Sequence, residues 1–73
     1  LDRIRADPAL TPRQHEVLNL LAKGFSNKEI GRLIGTGEDA VKKHLKTIYA
    51  IINVANRAEA ASYVTSNPRI GLV

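Results

Sequence analysis

The chain has 73 residues, room for one small domain and none for a catalytic cleft beside a separate core. Hydrophobic residues make up 44% and charged residues 25%, the balance of a globular domain rather than of a disordered chain. The net charge of +4 favours polyanionic partners, and the lack of any cysteine excludes a disulfide framework and a thiolate metal site.

In chain order, residues 1–10 read as a charged lead-in, with Asp7-Pro8 as a turn signal. The sequence opens on Leu1 rather than methionine, which points to a piece of a longer protein. Thr11-Pro12-Arg13-Gln14 is a helix start: Thr11 suits the N-cap, Pro12 the first helical position, and Gln14 completes a capping box. Val17, Leu18 and Leu21 give that helix one apolar face, and Gly24 stops it, so a helix is predicted over 12–23. Ser26-Asn27-Lys28-Glu29 is a second capping box, with Phe25 placed to staple onto Ile30. It predicts a helix over 27–34 that buries Ile30, Leu33 and Ile34.

Gly35-Thr36-Gly37 predicts a turn. Glu38 and Asp39 then open a helix over 38–52, where acids suit the positive end of the dipole. Val41, Leu45, Ile48 and Ile52 recur at helical spacing as its buried stripe. Asn56-Arg57-Ala58-Glu59 reads as a third capping box, opening a helix over 57–66 that Asn67-Pro68 ends. Residues 67–73 are expected to be a C-terminal tail. No strand signal, internal repeat or low-complexity segment is visible, and no apolar run approaches the ~20 residues of a membrane span. The predicted fold is all-α: a small four-helix domain over 11–66.

Ser26 to Leu45 lays out a capped helix, a glycine turn and a second helix, the arrangement of a helix-turn-helix whose second helix enters the DNA major groove. Lys42, Lys43 and Lys46 lie off the buried stripe of that second helix and share one solvent face. No acid occurs from Ala40 to Arg57. A lysine trio alone fits a plain solvated helix face. Behind a short capped helix and a glycine turn it predicts contact with double-stranded DNA, by phosphate neutralisation and by donation to guanine O6 and N7. Spacing does not decide which lysine does which. The amides at the start of the preceding helix, capped by Ser26, are predicted to hold a phosphate with help from Lys28 in its first turn. Capping by Ser26 is compatible with that.

Three segments, LTPRQHEVLNLLAKGFSNKEI, AVKKHLKTIY and NVANRAEAASY, together resemble the LuxR/NarL/GerE-type helix-turn-helix family of bacterial transcription regulators. The family usually reads L-T-x-R-E-x-E-V-L, S-N-K-E-I-A, T-V-K-x-H and N-R-x-E-A there. The resemblance covers about Leu10 to Val64. It implies a third helix that reads the major groove, and a C-terminal place in a cytoplasmic regulator whose N-terminal receiver or ligand-sensing domain takes the signal. It implies homodimers on paired half-sites, joined through the last helix. By position, Lys42, Lys43 and Lys46 match the family's DNA-reading residues, Asn27 and Lys28 lie near the backbone, and His44 matches the family histidine.

The chain departs from that pattern at several places. Gly37 stands for the usual Ser cap, Ala40 for Thr, Ile51 for Lys, Gln14 for Glu and Gly31 for Ala. Lys43 stands where an apolar residue is common. Glycine is only a few tenths of a kcal/mol poorer as an N-cap, whereas inside a helix it costs roughly 0.5–1 kcal/mol. Weaker or altered DNA contact is the expectation.

Other residues point nowhere sharper. His15 and His44 lack partners of metal-ligand type at suitable spacing, so no metal or cofactor is predicted. No nucleophile motif accompanies the Ser, His and acidic residues, so no enzyme is predicted. Tyr49 reads as packing and Arg57 as a structural residue pairing across helices. Tyr63 and Val64 read as core or dimer face, and Ile51, if exposed, as partner surface. The competing reading is a protein-interaction or dimerisation module on the same scaffold with weak or lost DNA binding, motivated by Ala40 and Ile51.

Overall fold

The computed structural model describes residues 9–66. The lead-in through Pro8, with its Asp7-Pro8 turn, and the tail from Asn67 lie outside the described residues. Four helices follow one another: α1 (Pro12–Ala22), α2 (Asn27–Ile34), α3 (Glu38–Ile52) and α4 (Arg57–Ser66). No strand occurs among the described residues. The core is built from Leu10, Val17, Leu18, Leu21, Ile30, Ile34, Val41, Leu45, Ile48, Ile52 and Ala60. Leu10, placed in the lead-in by the sequence, is buried there.

Local signals set the helix starts. Gln14 N–H donates to Thr11 Oγ1 at 3.1 Å while Gln14 Oε1 accepts from Thr11 N–H at 2.9 Å. The same reciprocal pair joins Ser26 and Glu29, at 3.1 and 2.8 Å. At α4 the third box takes a different form. Asn56 Oδ1 accepts from Glu59 N–H at 2.9 Å, but the Glu59 carboxylate reaches past Asn56 to Ala55 N–H at 2.7 Å. Helix α3 has Gly37 at its N-cap and no side-chain cap.

The ends show two differences from the sequence reading. Helix α1 stops at Ala22, one residue early, because Lys23 is its C-cap and Gly24 turns to φ 98°. Leu33 is not buried with Ile30 and Ile34 but 57% exposed. In a two-turn helix the face closed by Ile30 and Ile34 leaves position 33 on the flank, about 60–100° round the axis. The buried neighbour on the other flank is Gly31, where an added Cβ would lie 2.9 Å from the Thr36 carbonyl oxygen. The unusual glycine thus sits where the turn folds back onto α2. Gly35, at φ 79°, supplies the left-handed residue of that turn, and Thr36 N–H donates to the Gly31 carbonyl at 2.7 Å.

His15 is buried at 2% exposure within α1. Phe25, Tyr49, Tyr63 and Val64 are half-buried against the core. Helix α2 packs on α3, and α1 packs on both of them and on α4.

Candidate nucleic-acid interface

Helix α3 positions the basic residues. Its buried stripe, Val41, Leu45, Ile48 and Ile52, fixes the helix rotation against the core. At about 100° per residue, Lys42, Lys43 and Lys46 then fall on the side turned away from that stripe, and all three are exposed. Thr47 and Ala50 are exposed beside them, as is Asp39 one turn earlier. His44 and Ala40 are half-buried on one flank and Tyr49 on the other. Burial pushes the Tyr49 hydroxyl above its ordinary pKa, and the nearby Arg57 charge opposes this only in part.

The start of α2 forms the second half of the candidate surface. Lys28 is exposed. Ser26 Oγ accepts from Glu29 N–H at 3.1 Å and lies beside the Glu29 carboxyl. The Glu29 carboxyl is held below the usual carboxylate range, chiefly by the backbone hydrogen bond from Ser26, then by the Ser26 side chain, with Arg32 adding a smaller pull. Asn27, which the resemblance sets near the DNA backbone, is half-buried, and its Oδ1 accepts from Arg57 Nη1 at 3.0 Å.

That contact belongs to a clamp the sequence showed only in part. Arg57 also donates through Nη2 to the Phe25 carbonyl. Its fork thereby ties the first turn of α4 to the chain entering α2. At the other end of α2, Arg13 Nη1 donates to the Ile34 carbonyl at 3.2 Å and to Glu16 Oε1 at 3.0 Å. Two guanidinium groups, from α1 and α4, therefore hold the two ends of α2. Pairing of Arg57 across helices was legible in the sequence, whereas Arg13 was missed. Its signals are the Arg of the L-T-x-R-E pattern and a basic residue on the first turn of a helix, where the dipole disfavours it.

Ile51 is exposed, at 36%, on the His44 flank of α3, while Tyr63 and Val64 pack partly into the core. No group of three or more His, Cys, Asp or Glu suited to a metal ion occurs among the described residues. No helix among them is long and apolar enough to cross a membrane.

This arrangement is similar to a known group of proteins. The profile described as bacterial regulatory proteins, luxR family, matches residues 8–64. The HTH-type transcriptional regulator AlkS of Ectopseudomonas oleovorans is 45% identical over 56 residues, which cover 77% of this chain and 6% of that protein. The CsgBAC operon transcriptional regulatory protein of Escherichia coli (strain K12) is 43% identical over 60 residues, 82% of this chain and 28% of that one. The HTH-type transcriptional regulator MalT of Vibrio campbellii is 39% identical over 57 residues, 78% of this chain and 6% of its own length. The chain thus spans well under a third of these relatives. With most of its length matched by the profile, the chain belongs to the luxR family of bacterial regulatory proteins and carries that family's DNA-binding helix-turn-helix.

Proposed function

We propose that this domain binds double-stranded DNA sequence-specifically with α3 in the major groove, as the C-terminal effector domain of a bacterial transcription regulator. One observation carries the reading most. The stripe that locks α3 to the core leaves Lys42, Lys43 and Lys46 exposed together, directly after a glycine turn from α2. The ammonium groups neutralise phosphates and donate to guanine, while Ser26 and Lys28 at the start of α2 add backbone contacts. Asn27 supports them indirectly, as the acceptor for Arg57.

Residues 11–66 form the binding domain in this reading, residues 1–10 lead into it and 67–73 follow it. The parent protein is a cytoplasmic regulator with an N-terminal receiver or ligand-sensing domain, and it is not an enzyme and takes no cofactor at this site. It binds as a homodimer whose contact includes α4, with Ile51, Tyr63 and Val64 as the nearest apolar residues. The similarity to much longer regulators supports the further N-terminal domain.

The test is an anisotropy titration against randomised short duplexes at two salt concentrations, with the bound fraction sequenced. An enriched motif with salt-dependent affinity is expected. Negligible affinity at low salt, for the chain and for a tethered dimer alike, would favour the second reading, a protein-interaction module. Exposed Leu33 and Ile51 are the observation in its favour.

A further inference from the structure

The exposed face of α3 is not uniformly basic. Asp39 stands one turn before Lys43 and three residues before Lys42, in the middle of the lysine face as the helix is viewed end on. It is exposed. Three other acids are engaged locally: Glu16 with Arg13, Glu29 with the start of α2, and Glu59 with Ala55 N–H. The Asp39 side chain makes no hydrogen bond or ion pair among the described residues, even though Lys42 and Lys43 are its helical neighbours. A favourable effect on the α3 dipole accounts for acids in the first turn. It does not account for an acid at the centre of the face, because Glu38, nearer the buried stripe, supplies the same effect from outside it.

We propose that Asp39 is a base-reading residue that accepts a hydrogen bond from the N4 amino group of a cytosine, beside guanines taken by the lysines. The proposal rests on the reading above, in which α3 lies in the major groove. The chemistry follows from what each base edge offers. An ionised carboxylate only accepts, and phosphates on both sides repel it unless it meets a donor. Guanine shows it two acceptors, O6 and N7, and thymine an acceptor and a methyl group. Adenine sets its N6 donor next to the N7 acceptor, which faces the second carboxylate oxygen. Cytosine offers a donor with no acceptor beside it on that base. The guanine paired to that cytosine turns O6 and N7 to the same groove, where the ammonium groups of Lys42 and Lys43 find acceptors. One C·G pair thus satisfies the carboxylate and a neighbouring lysine together, while a reversed or A·T pair leaves one of them opposed.

The experiment compares the wild-type chain with Asp39→Ala and Asp39→Asn in the same selection on randomised duplexes, each as a tethered dimer, after thermal melts confirm folding. The wild type is expected to enrich a cytosine at one position per half-site. Asp39→Ala should flatten that position, losing roughly five- to hundred-fold discrimination, and leave the other positions unchanged. Asp39→Asn should move the preference towards adenine, whose N6 and N7 suit an amide. An even rise in affinity on all sequences for Asp39→Ala, with the motif intact, would show that Asp39 only repels phosphate and would overturn the proposal alone. Absence of any motif for the wild type would overturn the underlying DNA reading along with it.

Discussion

Arg57 and Asn27 stand thirty positions apart in the sequence and share a hydrogen bond of 3.0 Å. The same guanidinium donates to the Phe25 carbonyl, so one side chain of α4 holds two successive parts of the entry into α2. Arg57→Ala leaves that carbonyl and the Asn27 amide oxygen without their charged donor. A loss of roughly 1.5–3 kcal/mol is expected, the usual range for hydrogen bonds to a charged group. Arg57→Lys should recover only a fraction of it, because an ammonium cannot span both acceptors with a planar fork. Denaturant unfolding of both variants decides this, and equal stability of the alanine and wild-type proteins would dismiss the clamp.

Lys46 is exposed one turn beyond Lys42 on α3. Lys46→Ala should weaken DNA binding in one of two distinguishable ways. A lost phosphate contact lowers the slope of log affinity against log salt by about 0.9 and weakens all sequences alike. A lost base contact costs about 1–3 kcal/mol and relaxes one position of the motif. Unchanged affinity and slope would remove Lys46 from the interface.

Gly31 is the departure from the family pattern that the structure explains best. In an open helix an alanine there would gain roughly 0.5–1 kcal/mol over glycine. Here the added Cβ meets backbone atoms, the Thr36 oxygen at 2.9 Å and the Gly37 carbonyl carbon and oxygen at 3.1 Å, and backbone yields less easily than a side-chain tip. Overpacking of this kind costs about 1–3 kcal/mol, so Gly31→Ala is expected to destabilise on balance. A thermal melt checks the sign: a higher Tm for the variant would show that the turn relaxes freely.

Ile51 tests the two apolar readings of α3 against each other. Ile51→Lys restores the charge common in the family at a position already open to solvent. On the DNA reading it should raise affinity and steepen the salt slope by up to about 0.9. If Ile51 packs in a dimer contact, the same change should weaken self-association and, with it, binding to paired half-sites. Sedimentation and a salt titration on one sample separate the outcomes.

Glu29 supplies a pH dependence whose sign is fixed. Its carboxyl is depressed below the ordinary value by hydrogen bonds from Ser26. A depressed carboxyl stabilises the fold fully above its unfolded-state pKa and loses that contribution as pH falls through the lower, folded value. Glu29→Gln should therefore narrow the difference in Tm between about pH 7 and about pH 3. An unchanged difference would place the acid sensitivity elsewhere.

Much of the fold was legible because its signals are local. Caps at Thr11, Ser26 and Asn56 and glycines at 24 and 35 marked the helix ends to within a residue, and the α3 stripe gave its buried face directly. Leu33 failed because an eight-residue helix has too few turns for periodicity to separate a buried position from its flank. The contacts of Asn27, Arg13 and Gly31 were not legible for a different reason. Each is defined by a partner on another helix or in the turn, at Arg57, Ile34 and Thr36, and no spacing along one helix encodes those distances. The exposed lysines needed only the stripe to place them.

Of the four helices, only α3 begins without a side-chain cap, and its first backbone bond, from Val41 N–H to the Gly37 carbonyl, is 3.3 Å long. The amides of residues 38–40 therefore have little to slow their exchange with solvent, and the first turn of α3 belongs to the low-stability end of the domain. A ligand that settles this turn meets part of its ordering cost on binding, and that entropy varies with how well the ligand fits. Discrimination between good and poor sites is then expressed partly as how fully this turn closes, a difference that amide exchange at residues 38–40 records directly.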